Sequence, residues 1–168
     1  MSKITYLKGD ATCPIEESAI ICHVVNNCGA WGAGFVLAIS KMWKEPEQAY
    51  RDWFVGKFEV PQVIHDREFQ LGNVQFVPVL PSSIWVANMI AQNNYRRRKS
   101  NSNAVFLDYD ALNTTLEKVF LFANEKGLSV HMPRIGCGLA GGKWDLIEPI
   151  IEVHSDANYV DVYVYDFD

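Results

Sequence analysis

The chain has 168 residues, 49% of them hydrophobic and 21% charged, and a formal net charge of −5. This length and composition are typical of a globular protein, and we expect residues 1–168 to form one domain with a substantial core. The negative charge argues against general nucleic-acid binding. The sequence shows no apolar stretch of membrane-spanning length and no signal peptide, which predicts a cytoplasmic protein that does not contact membranes.

The first half of the chain begins with two strand patterns and a helix pattern. Residues 4–7 predict a first strand, and the continuous apolar run at residues 19–25 is typical of a strand buried on both faces. Phe35 and Ile39 open a run of apolar residues at helical spacing. Pro46 is expected to interrupt or end that helix, because proline cannot donate the backbone hydrogen bond.

The second half continues the alternation. Two strands are expected at residues 74–80 and 84–90. The clearest helix begins near Asp108 or Asp110 and ends at Gly127, a residue type that caps helix C-termini. The pattern is completed by a strand at 128–132, a helix at 143–154 and a strand at 159–165. Alternating strands and helices predict an α/β fold with a mostly parallel sheet.

Two glycine-rich turns each follow a strand pattern: the first glycine loop, residues 29–34, and the second glycine loop, residues 135–142. A glycine-rich turn that opens a helix leaves backbone N–H groups pointing outward, and glycine lets a ligand approach them closely. Ligands of α/β folds bind at the carboxyl ends of the strands, where both turns fall. Two such turns in one domain predict a pyrophosphate that is held from both sides.

The cysteines and acidic residues do not predict a metal site or a cofactor. Cys13, Cys22, Cys28 and Cys137 show no C-x-x-C spacing, so we expect reduced thiols rather than disulfides or a zinc site. No cluster of Asp, Glu and His suggests a tightly bound metal ion. Cys137 is also a poor phosphatase nucleophile, because Arg134 precedes it instead of closing a phosphate loop after it.

Three segments together resemble the macrodomain family: Gly-Asp-Ala-Thr at residues 9–12, the loop at residues 26–34 and the segment at residues 131–139. The resemblance covers essentially the whole chain. It implies the three-layer α/β/α macrodomain fold with a mixed, mostly parallel central sheet, and ADP-ribose as the ligand. A narrower resemblance, to the branch that contains the yeast ADP-ribose 1″-phosphate phosphatases and their bacterial and phage relatives, depends on residues in and around the glycine loops: His23, Asn26, Gly29, Trp31, Gly32, Gly34 and Trp144.

The resemblance also implies a role for each matching residue. Asp10 would accept a hydrogen bond from the adenine amino group, Asn26 or its neighbour Asn27 would bind the distal ribose, and the two glycine loops would enclose the diphosphate. Phe167, with Tyr165 as the alternative, would stack on adenine. The residues expected to bind ADP-ribose are Gly9, Asp10, Ala11, Thr12, Asn26, Asn27, Gly32, Ala33, Gly34, Phe35, Arg134, Ile135, Gly136, Cys137, Gly138, Leu139 and Phe167.

Purely structural roles are open for several of these residues. An aspartate such as Asp10 also commonly caps a turn. Asparagines such as Asn26 and Asn27 also commonly stabilise a turn by hydrogen bonds to its backbone. Trp31 and Trp144 either form walls of the site or pack in the core.

His23 is the expected catalytic residue. It ends a buried strand next to the first glycine loop, and an imidazole titrates near neutral pH, so it suits proton transfer during hydrolysis of a phosphate monoester. The alternative is a buried, neutral core histidine. His131, which stands before Pro133, is expected to be structural.

One departure from the family pattern restricts the reaction. Macrodomains that remove ADP-ribose from glutamate through a lysine and an aspartate have that aspartate directly after the Gly-x-Gly-Leu segment, where this chain has Ala140. That activity is therefore disfavoured, as is poly-ADP-ribose glycohydrolase activity, whose paired glutamates are missing. The basic run Arg96, Arg97, Arg98 and Lys99 either meets a phosphate or an RNA-linked substrate or is simply solvated.

The sequence thus predicts a hydrolase that binds ADP-ribose and converts ADP-ribose 1″-phosphate to ADP-ribose and phosphate. Two other functions stay open. One is a non-catalytic reader of ADP-ribose, and the other is a hydrolase that removes ADP-ribose from protein or nucleic acid. In both, an ADP-ribosylated macromolecule is a further partner.

Overall fold

The computed structural model describes residues 3–57, 62–94 and 105–167. In these residues a seven-stranded sheet has the order β1-β7-β6-β2-β5-β4-β3. The strands β1, β7, β6, β2 and β5 are parallel to one another. β4 is antiparallel to β5, and β3 is antiparallel to β4. The strands are β1 (Ile4–Lys8), β2 (Ser18–Asn26), β3 (Ile64–His65), β4 (Val74–Pro78), β5 (Ser83–Gln92), β6 (Ser129–Met132) and β7 (Val162–Asp166). The mixed, mostly parallel sheet is confirmed.

Helices cover both faces of the sheet: α1 (Phe35–Met42) and α2 (Glu45–Phe54) on one, α3 (Tyr109–Lys126) and α4 (Trp144–Asn158) on the other. Successive residues of a strand point to opposite faces, so a strand between two helical layers must be apolar on both. In β2, Ile21 packs with α1 and α2, while its neighbours Ile20 and Cys22 pack with α3 and α4. The expected three-layer α/β/α fold is confirmed.

Pro46 lies in the first turn of a second helix and does not end the helix that starts at Phe35. α1 stops at Met42, and Pro46 lies in the first turn of α2, a helix that the sequence analysis did not predict. Proline is tolerated there because the first N–H groups of a helix have no intrahelical acceptor. α2 then buries Tyr50 and Trp53 against the sheet.

The end of the chain also differs from the prediction. α4 continues to Asn158, and Tyr159 adopts a left-handed conformation at its C-terminus, with φ of 54°. The last strand therefore starts at Val162 instead of residue 159. The two-residue strand β3 at the sheet edge was not predicted, because two residues are too few for a periodic pattern.

α3 has the ends that the sequence predicts. Asp108 precedes the first turn, and its carboxylate accepts a hydrogen bond from the Ala111 N–H at 2.9 Å. Gly127 closes the helix with φ of 69°, a conformation that glycine adopts without strain. Within the described parts of the chain, no helix combines the length and apolar character needed to cross a bilayer.

The Asp108 cap gives a direct test of this helix. Asp108→Ala should lower the free energy of unfolding by about 1 kcal/mol, because an N–H of the first turn loses its acceptor. Asp110→Ala is the matched control and should cost only a few tenths of that amount, since Asp110 caps no N–H and contributes only a favourable charge. Urea denaturation of both variants measures the difference. Equal losses would contradict the assigned cap.

Candidate functional site

The two glycine loops lie side by side at the carboxyl edge of the sheet. β2 leads into the first glycine loop and β6 into the second, and β2 and β6 are parallel neighbours. Between the loops lies a first cavity of about 260 Å³. Its lining includes Ala33, Gly34 and Phe35 from one side and Gly136, Gly138 and Leu139 from the other.

Backbone N–H groups on both sides of the first cavity lack acceptors. Among the described residues, the N–H groups of residues 33–35 and 136–139 donate no hydrogen bond. Gly34, with φ of 84°, precedes α1 and leaves the first turn of that helix without a side-chain cap. Unpaired N–H groups at a helix N-terminus carry partial positive charge, so this arrangement favours an anion.

Glycine is required for the shape of the second glycine loop. The Gly142 N–H donates to the Gly136 carbonyl oxygen at 2.8 Å, which closes the loop on itself. A Cβ atom at Gly142 would lie 2.5 Å from that same oxygen, and Gly136 has φ of 74°. A side chain at Gly142 would therefore open the loop.

A second cavity of about 450 Å³ continues the first one. Val24, Ala33, Val36, Gln92 and Leu139 line both cavities. The second cavity extends towards Asn26, Gly32, Trp31 and Arg51. The sequence analysis missed Gln92 and Arg51. Gln92 ends a strand directly beside Asn26, and its place at the carboxyl end of that strand could have identified it as a site residue from the sequence. Arg51 lies on the unpredicted helix α2 and could not have been identified in this way.

Asn26 holds the first glycine loop together. Its Nδ2 donates to the Ala30 carbonyl at 2.8 Å, and its Oδ1 accepts from the Cys28 N–H at 2.9 Å and from the Tyr50 hydroxyl at 2.8 Å. The Asn27 amide bonds in turn to the loop at residues 93–94. Both amides are thus engaged in support of the turn, the alternative role that the sequence left open.

Asp10 and Phe167 lie at the β1 side of the sheet edge. One carboxylate oxygen of Asp10 accepts from the Thr12 N–H at 2.8 Å and from the Thr12 hydroxyl at 2.7 Å, whereas its Oδ2 has no partner among the described residues. Ala11 and Thr12 are buried. The Gly9 N–H donates to the Asp166 carbonyl, which brings the chain segments of Asp10 and Phe167 together.

Phe167 is available for stacking and Tyr165 is not. The Phe167 side chain is 81% exposed, whereas Tyr165 is 4% exposed. The Tyr165 hydroxyl accepts from the Ile15 N–H at 3.0 Å and bonds to His131 Nδ1 at 2.8 Å. Tyr165 is therefore a core residue, and the alternative stacking partner suggested by the sequence is wrong.

Arg134 connects the second glycine loop to β7. Its Nε and Nη2 donate to the two carboxylate oxygens of Asp166, at 2.6 and 3.0 Å. The guanidinium also lies over the rings of Tyr6 and Trp144, 5.1 and 5.3 Å from their centroids. The ion pair raises the pKa of Arg134 and lowers the pKa of Asp166. Although Arg134 lines the first cavity, its charge is thus largely neutralised by Asp166.

His23 is buried and belongs to a chain of polar side chains inside the protein. Gln75 Nε2 donates to the Ala49 carbonyl at 2.9 Å, and Asn88 Nδ2 donates to Gln75 Oε1 at 3.0 Å and to the Pro46 carbonyl at 3.2 Å. Asn88 Oδ1 must then be the acceptor for His23, at 2.6 Å from Nε2. His23 Nε2 therefore carries the proton and Nδ1 carries a lone pair.

The Nδ1 atom of His23 is buried, with no hydrogen-bond partner among the residues that the structure describes. Burial lowers the pKa of His23 from 6.5 to about 4, and the bond to Asn88 only partly opposes this shift. The ring packs against Trp31 and Phe35, and the residue lines the first cavity. At neutral pH His23 is therefore a hydrogen-bond acceptor and not a proton donor through Nδ1.

His131 and Cys137 are not reactive groups. His131 bonds to the Ser129 hydroxyl at 2.7 Å and to Tyr165, and its ring stacks on Tyr163, which confirms the structural role. Burial raises the pKa of the Cys137 thiol, with Arg134 opposing the shift, so the nucleophilic thiolate is disfavoured. Cys137 also does not line either cavity.

The basic run Arg96 to Lys99 lies outside the described residues. Among the residues that the structure does describe, no three His, Cys, Asp or Glu side chains are grouped so that they could hold a metal ion.

Solved structures with substantial identity share this fold. A Bacteroides thetaiotaomicron protein of unknown function is 46% identical, with a TM-score of 0.84 and 98% of each chain covered. A macrodomain protein from Streptomyces coelicolor is 43% identical, with a TM-score of 0.78, and the match covers 97% of this chain and 98% of that one. No protein-family model matches the sequence. On the identity and coverage of the Streptomyces protein, the chain belongs to the macrodomain family.

Curated relatives fall into three groups, one of which is ADP-ribose glycohydrolase OARD1; the Bos taurus protein is 26% identical, over 98% of this chain and 91% of that protein. Mus musculus chromodomain-helicase-DNA-binding protein 1-like is 31% identical over 99% of this chain, but the chain spans only 18% of that protein's length. The Meyerozyma guilliermondii ADP-ribose 1″-phosphate phosphatase is 24% identical, over 92% of this chain and 95% of that protein. The resemblance to the phosphatase branch thus extends over nearly the whole of both chains.

Three buried histidines, His23, His131 and His154, predict a pH dependence of stability. Burial lowers the pKa of His23 and of His131 from 6.5 to about 4, and it lowers the pKa of His154 in the same direction. Below about pH 6.5 the unfolded chain binds protons that the folded chain excludes, so the free energy of unfolding falls as pH drops from 6.5 towards 4. The expected slope is up to about 1.4 kcal/mol per pH unit for each histidine.

Urea denaturation at several pH values between 7 and 4.5 measures this slope. His23→Gln keeps a polar side chain and removes one titrating group, so its slope should be smaller than that of the native protein. A variant with the native slope would show that His23 is protonated in the folded protein.

Proposed function

We propose that the cleft formed by the two cavities binds ADP-ribose. The observation that carries the proposal is that unpartnered N–H groups lie on both sides of the first cavity, in one set at residues 33–35 and in a second set at residues 136–139. A diphosphate would fit there because its oxygens accept several hydrogen bonds and its charge is favoured at the start of α1. In a protein of net charge −5, backbone dipoles replace the side-chain cations that usually hold such a group.

The two ends of ADP-ribose would then occupy different surroundings. Adenine would lie towards Asp10, whose free Oδ2 can accept from the exocyclic amino group, and towards the exposed ring of Phe167. The distal ribose would extend into the second cavity, beside Gly32 and Trp31. Because the Asn26 amide is used within the loop, its part in ribose binding would be to hold the shape of the cavity.

We further propose that the protein hydrolyses ADP-ribose 1″-phosphate, the reaction that gives the Meyerozyma relative its name. A water oxygen would bond to phosphorus while the bond from phosphorus to the ribose oxygen breaks. His23 Nδ1 would accept the proton of that water, and solvent would supply a proton to the ribose oxygen. His23 lines only the first cavity, so the terminal phosphate would have to lie near Val24, Ala33 and Val36, which both cavities share.

A reader that binds ADP-ribose without turnover is the second candidate. It is favoured by the burial of His23, whose side chain is 1% exposed. Among the described residues that line the two cavities, His23 is the one group that can serve as a base, since the other titratable side chains are Arg51 and Arg134. A reader needs no such group.

Phosphate release from ADP-ribose 1″-phosphate, measured together with calorimetric titration of ADP-ribose, separates the two candidates. If His23 acts as the base, His23→Gln should lower the rate by about a hundredfold or more and leave ADP-ribose affinity within a few fold. His65→Gln, a histidine change in the edge strand β3 away from the cleft, should keep the native rate.

The possible outcomes are distinct. ADP-ribose binding without phosphate release would leave a reader, or a hydrolase for another ADP-ribosyl linkage. Release that survives in His23→Gln would retain the phosphatase but remove His23 from its mechanism. A native protein that does not bind ADP-ribose would contradict the proposed cleft.

A further inference from the structure

Arg51 lines the second cavity. Among the described residues that line this cavity, it carries the one charged side chain. It follows Tyr50, whose hydroxyl donates to the backbone and side-chain oxygens of Asn26, at 2.7 and 2.8 Å. These bonds fix α2 against the first glycine loop, so the guanidinium lies beside that loop, with Nη1 3.4 Å from the Gly29 carbonyl oxygen.

The hydrogen-bonding capacity of Arg51 is only partly used. Its Nε donates to Glu47 Oε2 at 2.9 Å, the contact to Gly29 is long, and Nη2 has no partner among the described residues. Glu47 also accepts from the Ser40 hydroxyl, and the Arg51 side chain is 48% exposed. Arg134, the charged residue of the first cavity, differs in that its Nε and Nη2 both donate to one carboxylate, that of Asp166, whereas Arg51 donates only Nε to Glu47.

An arginine with a free donor edge suits a particular kind of ligand. The hydroxyl groups of a ribose need no positive charge, whereas a phosphate monoester has several charged oxygens that match the planar donors of a guanidinium. The N–H groups around the first cavity would already serve the diphosphate. A cation in the second cavity therefore points to a second anionic group on the distal ribose, one that lies where the two cavities meet, between Arg51 and His23.

We propose that Arg51 is a specificity-determining residue that binds a phosphate group carried on the distal ribose, so that the cleft prefers ADP-ribose 1″-phosphate to ADP-ribose. This inference rests on the proposed ADP-ribose cleft. It does not require that the phosphate be hydrolysed.

Calorimetric titration with ADP-ribose and with ADP-ribose 1″-phosphate at low salt tests the proposal. The otherwise native protein and each Arg51 variant carry His23→Gln during the titrations so that the phosphate ester is not hydrolysed, and phosphate release by the proteins that retain His23 is assayed separately. The native protein should bind the phosphorylated ligand about tenfold more tightly. Arg51→Gln should remove that preference and keep the Kd for ADP-ribose within twofold. Arg51→Lys should keep part of it, because an ammonium retains the charge but not the planar donors.

Two controls accompany the titrations. Arg67→Gln, an exposed arginine change away from the cleft, should retain the native preference. Added salt should weaken the preference of the native protein, because the Arg51 side chain is half exposed and its charge is open to screening. Arg51→Gln should remain folded, since a half-exposed ion pair contributes little to stability.

Several results would overturn the proposal. The first is a native protein that binds both ligands with equal affinity, and the second is an Arg51→Gln variant that still prefers the phosphorylated ligand. The third is an Arg51→Gln variant whose affinity for both ligands falls by the same factor, which would mean that Arg51 only shapes the first glycine loop. A native protein that binds neither ligand would overturn the cleft itself. A preference that depends on Arg51, without any phosphate release, would support this proposal and overturn the phosphatase alone.

Discussion

The parallel pairing of β2 with β6 brings the two glycine loops together. Because the two strands run in the same direction, the loops that leave their carboxyl ends emerge at one edge of the sheet. Loops that are far apart in sequence thereby flank one cavity, and their unpartnered N–H groups lie on both of its sides. The helices α3 and α4 bury apolar side chains of both strands on one face of the sheet, which supports this pairing.

Buried polar side chains then fix the helix α2 and the first glycine loop relative to the sheet. Tyr50 bonds to Asn26, and Gln75 and Asn88 bond to backbone carbonyls of α2 while Asn88 also orients His23. Buried polar groups are costly unless they are paired, so this network permits few alternative arrangements. The unpartnered Nδ1 of His23 is the exception in it. Few buried polar atoms are left unpaired in native proteins, so this atom is a candidate to accept a hydrogen bond from a ligand or a water.

Features set by local chemistry could be predicted from the sequence, and features set by tertiary contacts could not. The cap at Asp108, the glycine loops and the buried strands follow from residue type and spacing. Pro46 was misjudged because a proline that ends one helix and a proline that begins the next look alike in sequence. The hydrogen bonds that engage Asn26 and Arg134 come from distant residues, Tyr50 and Asp166, which no local pattern reveals.

If both glycine loops bind one diphosphate through their backbone N–H groups, the amides of the two loops must respond together to that group. ¹⁵N–¹H NMR spectra recorded during titration with ADP-ribose, ADP and adenosine measure this response. We expect the amides at residues 33–35 and 136–139 to shift together with ADP-ribose and with ADP, and not with adenosine, which lacks the diphosphate. Shifts confined to one loop, or the same shifts with adenosine, would contradict it.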